Sequence, residues 1–571
     1  MISIKEFSQI EYLRPDVDAL QNQVGAQISR LESASCYAEA RAAYLAAENA
    51  MAEAFTMGTV AQIRNSLDTG DAFYDGEMKY INLVKARLIP LEKRGADALL
   101  SSRFRPDFEA EFGKQLLSGF ELKRKLQSEA VVPDRITEGE LSMKYKKTAA
   151  GCKTEFMGET CNFYGLMKHM ESTDREIRKS AFLEWAKLYE GISDKLDDLY
   201  DKLISVRIDM AEKLGLSDYI EMAYLSMGRT DYTRDDTAAF RSQVRAVIVP
   251  AVAKLRKLQA KRLGVDSLKY YDETLLFPEG NADPIGGKDV LVPAASGMYH
   301  EMSAETGDFF DFMCKYELFD LDTRPGKQLG GYCTALYKYK APYIFSNFNG
   351  TAADVGVLTH EAGHAFAGYT AFRNQPTVRY LASTNEINEI ESMAMEHFAY
   401  PWIGDFFGTE KAEKARYSHL FNALAVIPYV AAVDEFQHLV FEHPEMSAAG
   451  RRDTWKRLEN EYMPWRDYDG VAFLEGGGFW MQKLHIFLHP FYYIDYALAQ
   501  TCAFELYGMM KKNRQAAWAS YMKLCRSGGS LSYFELLDFA GLRNPFLEGS
   551  VENAVSHVIE ELSVSQRDLE V

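Results

Sequence analysis

Cysteine is sparse in this chain and shows no pattern. Seven cysteines, at 36, 152, 161, 314, 333, 502 and 525, are scattered over 571 residues; the number is odd and none sits in a Cys-x-x-Cys pair. A paired disulfide framework is excluded and reduced thiols are expected. Long apolar runs are missing too. The longest, from Ala423 to Val433, is broken by Pro428 and is far too short to cross a bilayer. The first residues, Met1-Ile2-Ser3-Ile4-Lys5-Glu6-Phe7, carry charge early and lack an apolar centre, unlike a signal peptide. Positive charge is in deficit: 64 Lys and Arg against 82 Asp and Glu leave a net charge of −18, which argues against nucleic acid and anionic membranes as partners. Neither an internal repeat nor a low-complexity linker is present. What remains is a cytoplasmic protein, 47% hydrophobic, long enough for a sizeable core and for two to four domains. Its number of subunits is left open.

Histidine is infrequent as well, with 11 in the chain, which makes His360-Glu361-Ala362-Gly363-His364 informative. On a helix, residues four apart share a face, so the two imidazoles can hold one ion. Glu361 follows the first ligand and can project beside the metal's open position, where it can take a proton from water. Thr351-Ala352-Ala353-Asp354 has the form of a helix start, and the apolar load from Val355 to Ala367 suits a buried helix.

A catalytic zinc needs a third protein ligand. Ser383-Thr384-Asn385-Glu386 has the form of a capping box opening a second helix that ends near Tyr400-Pro401. On it Glu386, Glu389, Met393 and Glu396 fall close to one face, while Glu391 points elsewhere. One carboxylate on that face can reach zinc and a second can orient a histidine from behind. Composition does not choose between Glu386 and Glu389.

These blocks, with Glu389-Ile390-Glu391-Ser392-Met393-Ala394-Met395-Glu396 following the histidine motif, resemble the thimet oligopeptidase and oligoendopeptidase F metallopeptidases. Further blocks agree: Tyr343 to Gly350 upstream, Val433-Asp434-Glu435-Phe436-Gln437-His438, and Pro490-Phe491-Tyr492-Tyr493-Ile494-Asp495-Tyr496. The Val433 to His438 run points to the oligoendopeptidase F branch, and the resemblance covers roughly residues 150 to 550. It selects Glu389, so that His360, His364 and Glu389 are the expected ligands of one Zn2+. It also implies a histidine followed by tyrosines acting on the substrate carbonyl: Tyr493, Tyr496 and His485, with His489 the alternative histidine. Tyrosine and imidazole donors can stabilise an oxygen that gains charge as the carbonyl becomes tetrahedral.

The expected fold is mainly α: a two-lobed helical zincin-type metallopeptidase with a small β-sheet beside the zinc helix and a deep substrate channel. An N-terminal helical lobe spans 1–150 and a catalytic domain 151–571, with the sheet near 330–350. Residues 31 to 64 suit one long helix, and Thr173-Asp174-Arg175-Glu176 starts another. Strand-like segments lie at Lys144 to Phe156, Leu291 to Val292 and Tyr343 to Phe348. The resemblance implies that the strand before the zinc helix grips an extended peptide by edge pairing. Glu475-Gly476-Gly477-Gly478-Phe479 is read as a flexible closing loop. The expected activity is zinc-dependent internal cleavage of short unfolded peptides, with Glu361 as general base. Trimming of peptide C-termini by a related design, or peptide binding by an inactive homologue, are the alternatives.

Overall fold

The computed structural model describes residues 4–569. Helices dominate, and five short strands occur among the described residues. β1 (Thr154–Phe156) and β2 (Glu159–Cys161) pair as an antiparallel hairpin. β3 (Phe319–Asp322), β4 (Tyr332–Leu336) and β5 (Ala341–Phe348) form a sheet in the order β3–β5–β4, with β5 parallel to β3 and antiparallel to β4. The expectation of edge pairing through Tyr343 to Phe348 is therefore corrected. β5 is the central strand, both of its sides are occupied, and the sheet's edges belong to β3 and β4.

The chain divides into two compact units, each discontinuous. The first joins Met1–Lys125, Asp283–Glu410 and Met509–Leu542; the second joins Leu126–Ala282, Lys411–Gly508 and Arg543–Val571. This cut differs from a boundary at 150, because the N-terminal helices are tied to the elements around the sheet. The Lys338 N–H donates to Thr56 Oγ1 at 2.8 Å, Gln328 N–H to the Ser66 carbonyl at 2.8 Å, and Tyr380 Oη to the Phe112 carbonyl at 2.6 Å. Arg379 pairs with the buried Glu48 at 2.8 Å.

In the first unit, Val17–Glu32 and Tyr37–Leu67 replace the single helix expected over 31–64. The chain breaks at Ser33 to Cys36, where the Glu39 carboxylate accepts from Ser35 N–H and Oγ and so competes with helix continuation. Alanines 40, 43 and 47 let the second helix approach Val24, Ile28 and Leu31 closely, and Leu88, Leu99 and Phe108 complete that core. Leu291 and Val292 lie inside the helix Lys288–Met302, not in a strand.

The second unit packs Arg175–Glu190, Ser193–Lys213, Ile427–Glu442, Ala448–Tyr462 and the helix Ile494–Lys512 up to Gly508 around Phe182, Trp185, Tyr200, Trp455, Trp480 and Phe487. The helix expected at Thr173 starts two residues later, capped by Asp174. Of Lys144 to Phe156, residues up to Ala150 end the helix Val132–Ala150, and only Thr154 to Phe156 form a strand. The glycines at 476–478 are demanded by packing rather than by flexibility. A Cβ on Gly477 (φ +86°) would fall 2.0 Å from the Arg452 carbonyl oxygen, and one on Gly478 would fall 2.4 Å from the Phe473 ring.

Candidate functional site

In the first unit, β5 leads into a helix whose middle is wound differently from its ends. Ala352–Gly356 is α-helical, Val357–Glu361 is a π-helical turn, and Ala362–Asn374 is α-helical again. Such π turns recur at functional sites, and this one carries His360 and Glu361. The Tyr299 hydroxyl donates to the Leu358 carbonyl within it at 2.8 Å. Thr351 is the N-cap, as the sequence suggested, but Asp354 does not close a capping box. Its carboxylate accepts the N–H groups of Asn349 and Gly350, which fixes the turn out of β5.

The second helix, Asn385–Phe398, has Thr384 rather than Ser383 at its N-cap and ends just before Tyr400-Pro401. Gly363 is what lets it come close. A Cβ there would sit 2.7 Å from Ser392 Cα and 3.1 Å from the Glu391 carbonyl oxygen, so the two helices touch backbone to backbone.

That approach brings His360, His364 and Glu389 together. Glu389 Oε2 lies 3.5 Å from His360 Nε2 and 3.8 Å from His364 Nε2, and one ligand atom from each residue falls within 4.8 Å of the others. Ligands held tetrahedrally at about 2.0–2.1 Å from an ion stand about 3.4 Å apart, so this donor set fits a zinc-sized metal with little movement. Two imidazoles and a carboxylate are also a donor set that suits zinc. Behind it, Glu396 Oε1 lies 2.6 Å from His360 Nδ1, the outer carboxylate that fixes a ligating imidazole's orientation. Glu386 is buried in the first turn and is not part of this group. Glu391 points away; burial pushes its carboxyl up to about 8.

The electrostatics suit the geometry. Burial disfavours the His360 cation, but the Glu389 and Glu396 carboxylates outweigh it and hold this pKa well above the ordinary histidine value. Burial, and then the charge of His360, push His364 down to about 4, which leaves it a neutral ligand. Glu361 is raised, first by burial and then by the charges of Glu389 and Glu396 against the opposing pull of His360. A carboxylate shifted toward neutrality is a better proton acceptor near pH 7. Cys333, on the edge strand β4, is near enough for Glu361 to raise its thiol pKa further, although burial is the larger cause.

The remaining sequence-selected residues gather in the second unit. His485 lies against Tyr493 with ring centroids 4.7 Å apart and the rings tilted by 38°, and meets Tyr496 edge-on at 6.2 Å, while Tyr493 and Tyr496 are 5.6 Å apart. Among the described residues, His489 makes its ring contact with His485 alone, at 6.1 Å. The cluster is set by a strained turn that no local residue pattern announces. Phe491 has φ +64°, a costly value for a residue with a side chain. Its N–H donates to Gln437 Oε1 at 3.0 Å and its carbonyl accepts from Arg229 at 2.7 Å; Arg229 also pairs with the buried Asp495. Gln437 and Asp495 fall inside two of the sequence blocks, but neither their pairing with the turn nor the part of Arg229 was legible there. Lys483 was missed altogether, and its Nζ donates to Tyr493 Oη at 3.0 Å.

The chain is similar to known proteins over nearly its whole length. Residues 7–127 match the peptidase M3 N-terminal domain, and residues 293–555 match peptidase family M3. The structure of PZ peptidase A with an inhibitor is 41% identical, with a TM-score of 0.92 over 98% of this chain and 100% of that one. A 3.1 Å X-ray structure named for oligoendopeptidase F is likewise 41% identical, with a TM-score of 0.92 over 99% of this chain and 100% of that one. The oligoendopeptidase F homologue of Borreliella burgdorferi is 21% identical over 396 residues, 68% of this chain and 65% of that protein, so the match spans just under two thirds of the relative. The chain belongs to peptidase family M3, among metallo-oligopeptidases of the oligoendopeptidase F type.

Proposed function

We propose that this protein is a zinc-dependent oligoendopeptidase that cuts internal bonds of short, unfolded peptides. The observation that carries the reading is the three-donor cluster of His360, His364 and Glu389 with Glu361 on the adjoining turn. One Zn2+ held there would supply Lewis acidity and bring the pKa of water toward neutrality. Glu361 takes the proton of the attacking water and then delivers it to the leaving amine. Glu396 keeps His360 oriented through its Nδ1. Tyr493, Tyr496 and His485 supply the hydroxyl and imidazole donors to the oxyanion, a role supported by the family resemblance of their block. The same reading puts the enzyme in the cytosol, supported by seven cysteines all in the thiol form. Its partners are peptides rather than nucleic acid or membrane lipid, supported by the net charge of −18.

The test is mass spectrometry of a defined peptide mixture, from about 5 to 40 residues, incubated with the zinc-loaded wild type and with Glu361→Gln. Internal cuts confined to the shorter peptides, and lost by roughly 10²–10⁴-fold in the variant, are expected. Stepwise loss of C-terminal residues would overturn the endopeptidase reading in favour of a trimming enzyme. Absence of any cleavage by the wild type would leave a peptide-binding protein.

A further inference from the structure

Lys483 follows the short helix Phe479–Gln482 and immediately precedes Leu484–Leu488, which carries His485. Its Nζ donates to Tyr493 Oη at 3.0 Å and lies 4.2 Å from the Tyr493 ring centroid and 5.3 Å from that of Tyr429. Burial alone pulls this ammonium down to about 8, with no carboxylate offsetting it. Placing an ammonium among aromatic rings without an anion is costly, and packing could be served by an apolar side chain. The hydrogen bond is what an apolar residue cannot supply.

We propose that Lys483 is a positioning residue for peptide hydrolysis: as an ammonium it donates to Tyr493 Oη and so keeps the phenol's own proton available to the substrate carbonyl oxygen. The proposal rests on the reading of Tyr493 as an oxyanion donor. An ammonium has three N–H donors and no acceptor. While Lys483 is charged, Tyr493 can only accept from it, and the phenolic O–H must be spent elsewhere. A charged donor on the phenol oxygen also makes that O–H a stronger donor. Once Lys483 loses its proton, its nitrogen gains a lone pair and becomes an acceptor for the phenol. Tyr493 then turns its proton inward, and the oxyanion loses a donor.

The groups around Lys483 leave this proton as the variable. Tyr429 faces it from the helix Ile427–Glu442 and Tyr493 from just before Ile494–Lys512, while Tyr496 in the first turn of that helix and His485 on Leu484–Leu488 contact Tyr493 in turn. Arg466 stands 6.0 Å from the Tyr429 ring, and the carboxylates of that wall, Glu273 and Glu459, are engaged with Arg466 and Tyr468.

The experiment measures kcat and KM of the zinc-loaded enzyme on a quenched fluorescent peptide from about pH 6 to 10. It compares the wild type, Lys483→Met, Lys483→Arg, Tyr493→Phe and the Met/Phe double variant, with thermal unfolding of each. The wild type is expected to lose kcat with a midpoint near Lys483's about 8. Lys483→Met should lower kcat on the order of tenfold, leave KM nearly unchanged and abolish that midpoint. Lys483→Arg should retain activity and move the midpoint beyond the range, because guanidinium stays charged. In the Tyr493→Phe background Lys483→Met should cost nothing further. A Lys483→Met enzyme that keeps the wild-type midpoint, or that loses as much activity with Phe at 493 as with Tyr, overturns the proposal while the Tyr493 reading stands. Full kcat in Tyr493→Phe overturns that reading, and the proposal with it.

Discussion

A Cβ on Gly363 would stand 2.7 Å from the Cα of Ser392. Gly363 lies between the two histidines of the motif and Ser392 lies three residues beyond Glu389, so this contact sets the distance between the two halves of the donor set. Backbone cannot move aside as a side-chain tip can. Gly363→Ala is therefore expected to push the helices apart, costing about 1–3 kcal/mol as overpacking does. Zinc affinity should fall by more than this general loss explains. Thermal unfolding and zinc titration of the variant check both. A fully stable Gly363→Ala protein with wild-type affinity would show that the contact does not set the site.

Glu396 touches the proposed metal only through His360. Removing such an outer partner commonly costs 10–100-fold in metal affinity or activity. Glu396→Ala is expected to weaken zinc binding by about that range, whereas Glu396→Gln, which can still accept from Nδ1–H, should lie nearer the wild type. Competition against a chromophoric chelator gives the two affinities, and equal values for Ala and wild type would remove Glu396 from the site.

An ion bound only to the folded state stabilises it by mass action. At free zinc 100-fold above the dissociation constant the gain is about 2.7 kcal/mol. Chelation should lower the melting temperature of the wild type and abolish cleavage, and returning zinc should restore both. His364→Ala should melt at the same temperature with and without chelator. A zinc-dependent melting temperature in that variant would mean that the ion binds elsewhere.

The sequence disclosed whatever local spacing encodes. The histidine motif, the helix carrying Glu389 and the strand before them are all contiguous signals, and each lies where periodicity suggested. Long-range partners carry no such signal. Nothing about Ala341–Phe348 in isolation says that it will have a neighbour on both sides, since β3 reaches it from Phe319 across a loop and β4 by a tight return. The same holds for Arg229, separated by 262 residues from the Phe491 carbonyl that it clamps. Glycine was ambiguous for a different reason. Gly477 and Gly478 look flexible in sequence because the residue lacks a side chain, whereas their surroundings show that a side chain has no room.

His438 ties acid stability to the turn at Phe491. Its Nδ1 lies 2.9 Å from the Asp434 carbonyl and its Nε2 lies 3.0 Å from the Tyr224 hydroxyl, partners that satisfy a neutral imidazole. Burial, offset by Asp434 and reinforced by Arg241, brings its pKa to about 4. The unfolded chain takes up a proton at about pH 6.5, so between those values it binds a proton that the folded state refuses. Stability is then full above pH 6.5 and is lost as pH falls toward 4, at about 1.4 kcal/mol per unit. His438 follows Gln437, whose side chain holds Phe491 N–H, so the strain of acidification is applied one residue from the clamp. His438→Gln should remove roughly 2 kcal/mol of the stability difference between about pH 7 and pH 5. Urea unfolding at the two pH values measures it. The same pH dependence in the variant as in the wild type would assign the acid sensitivity to other groups and leave His438 a packing residue.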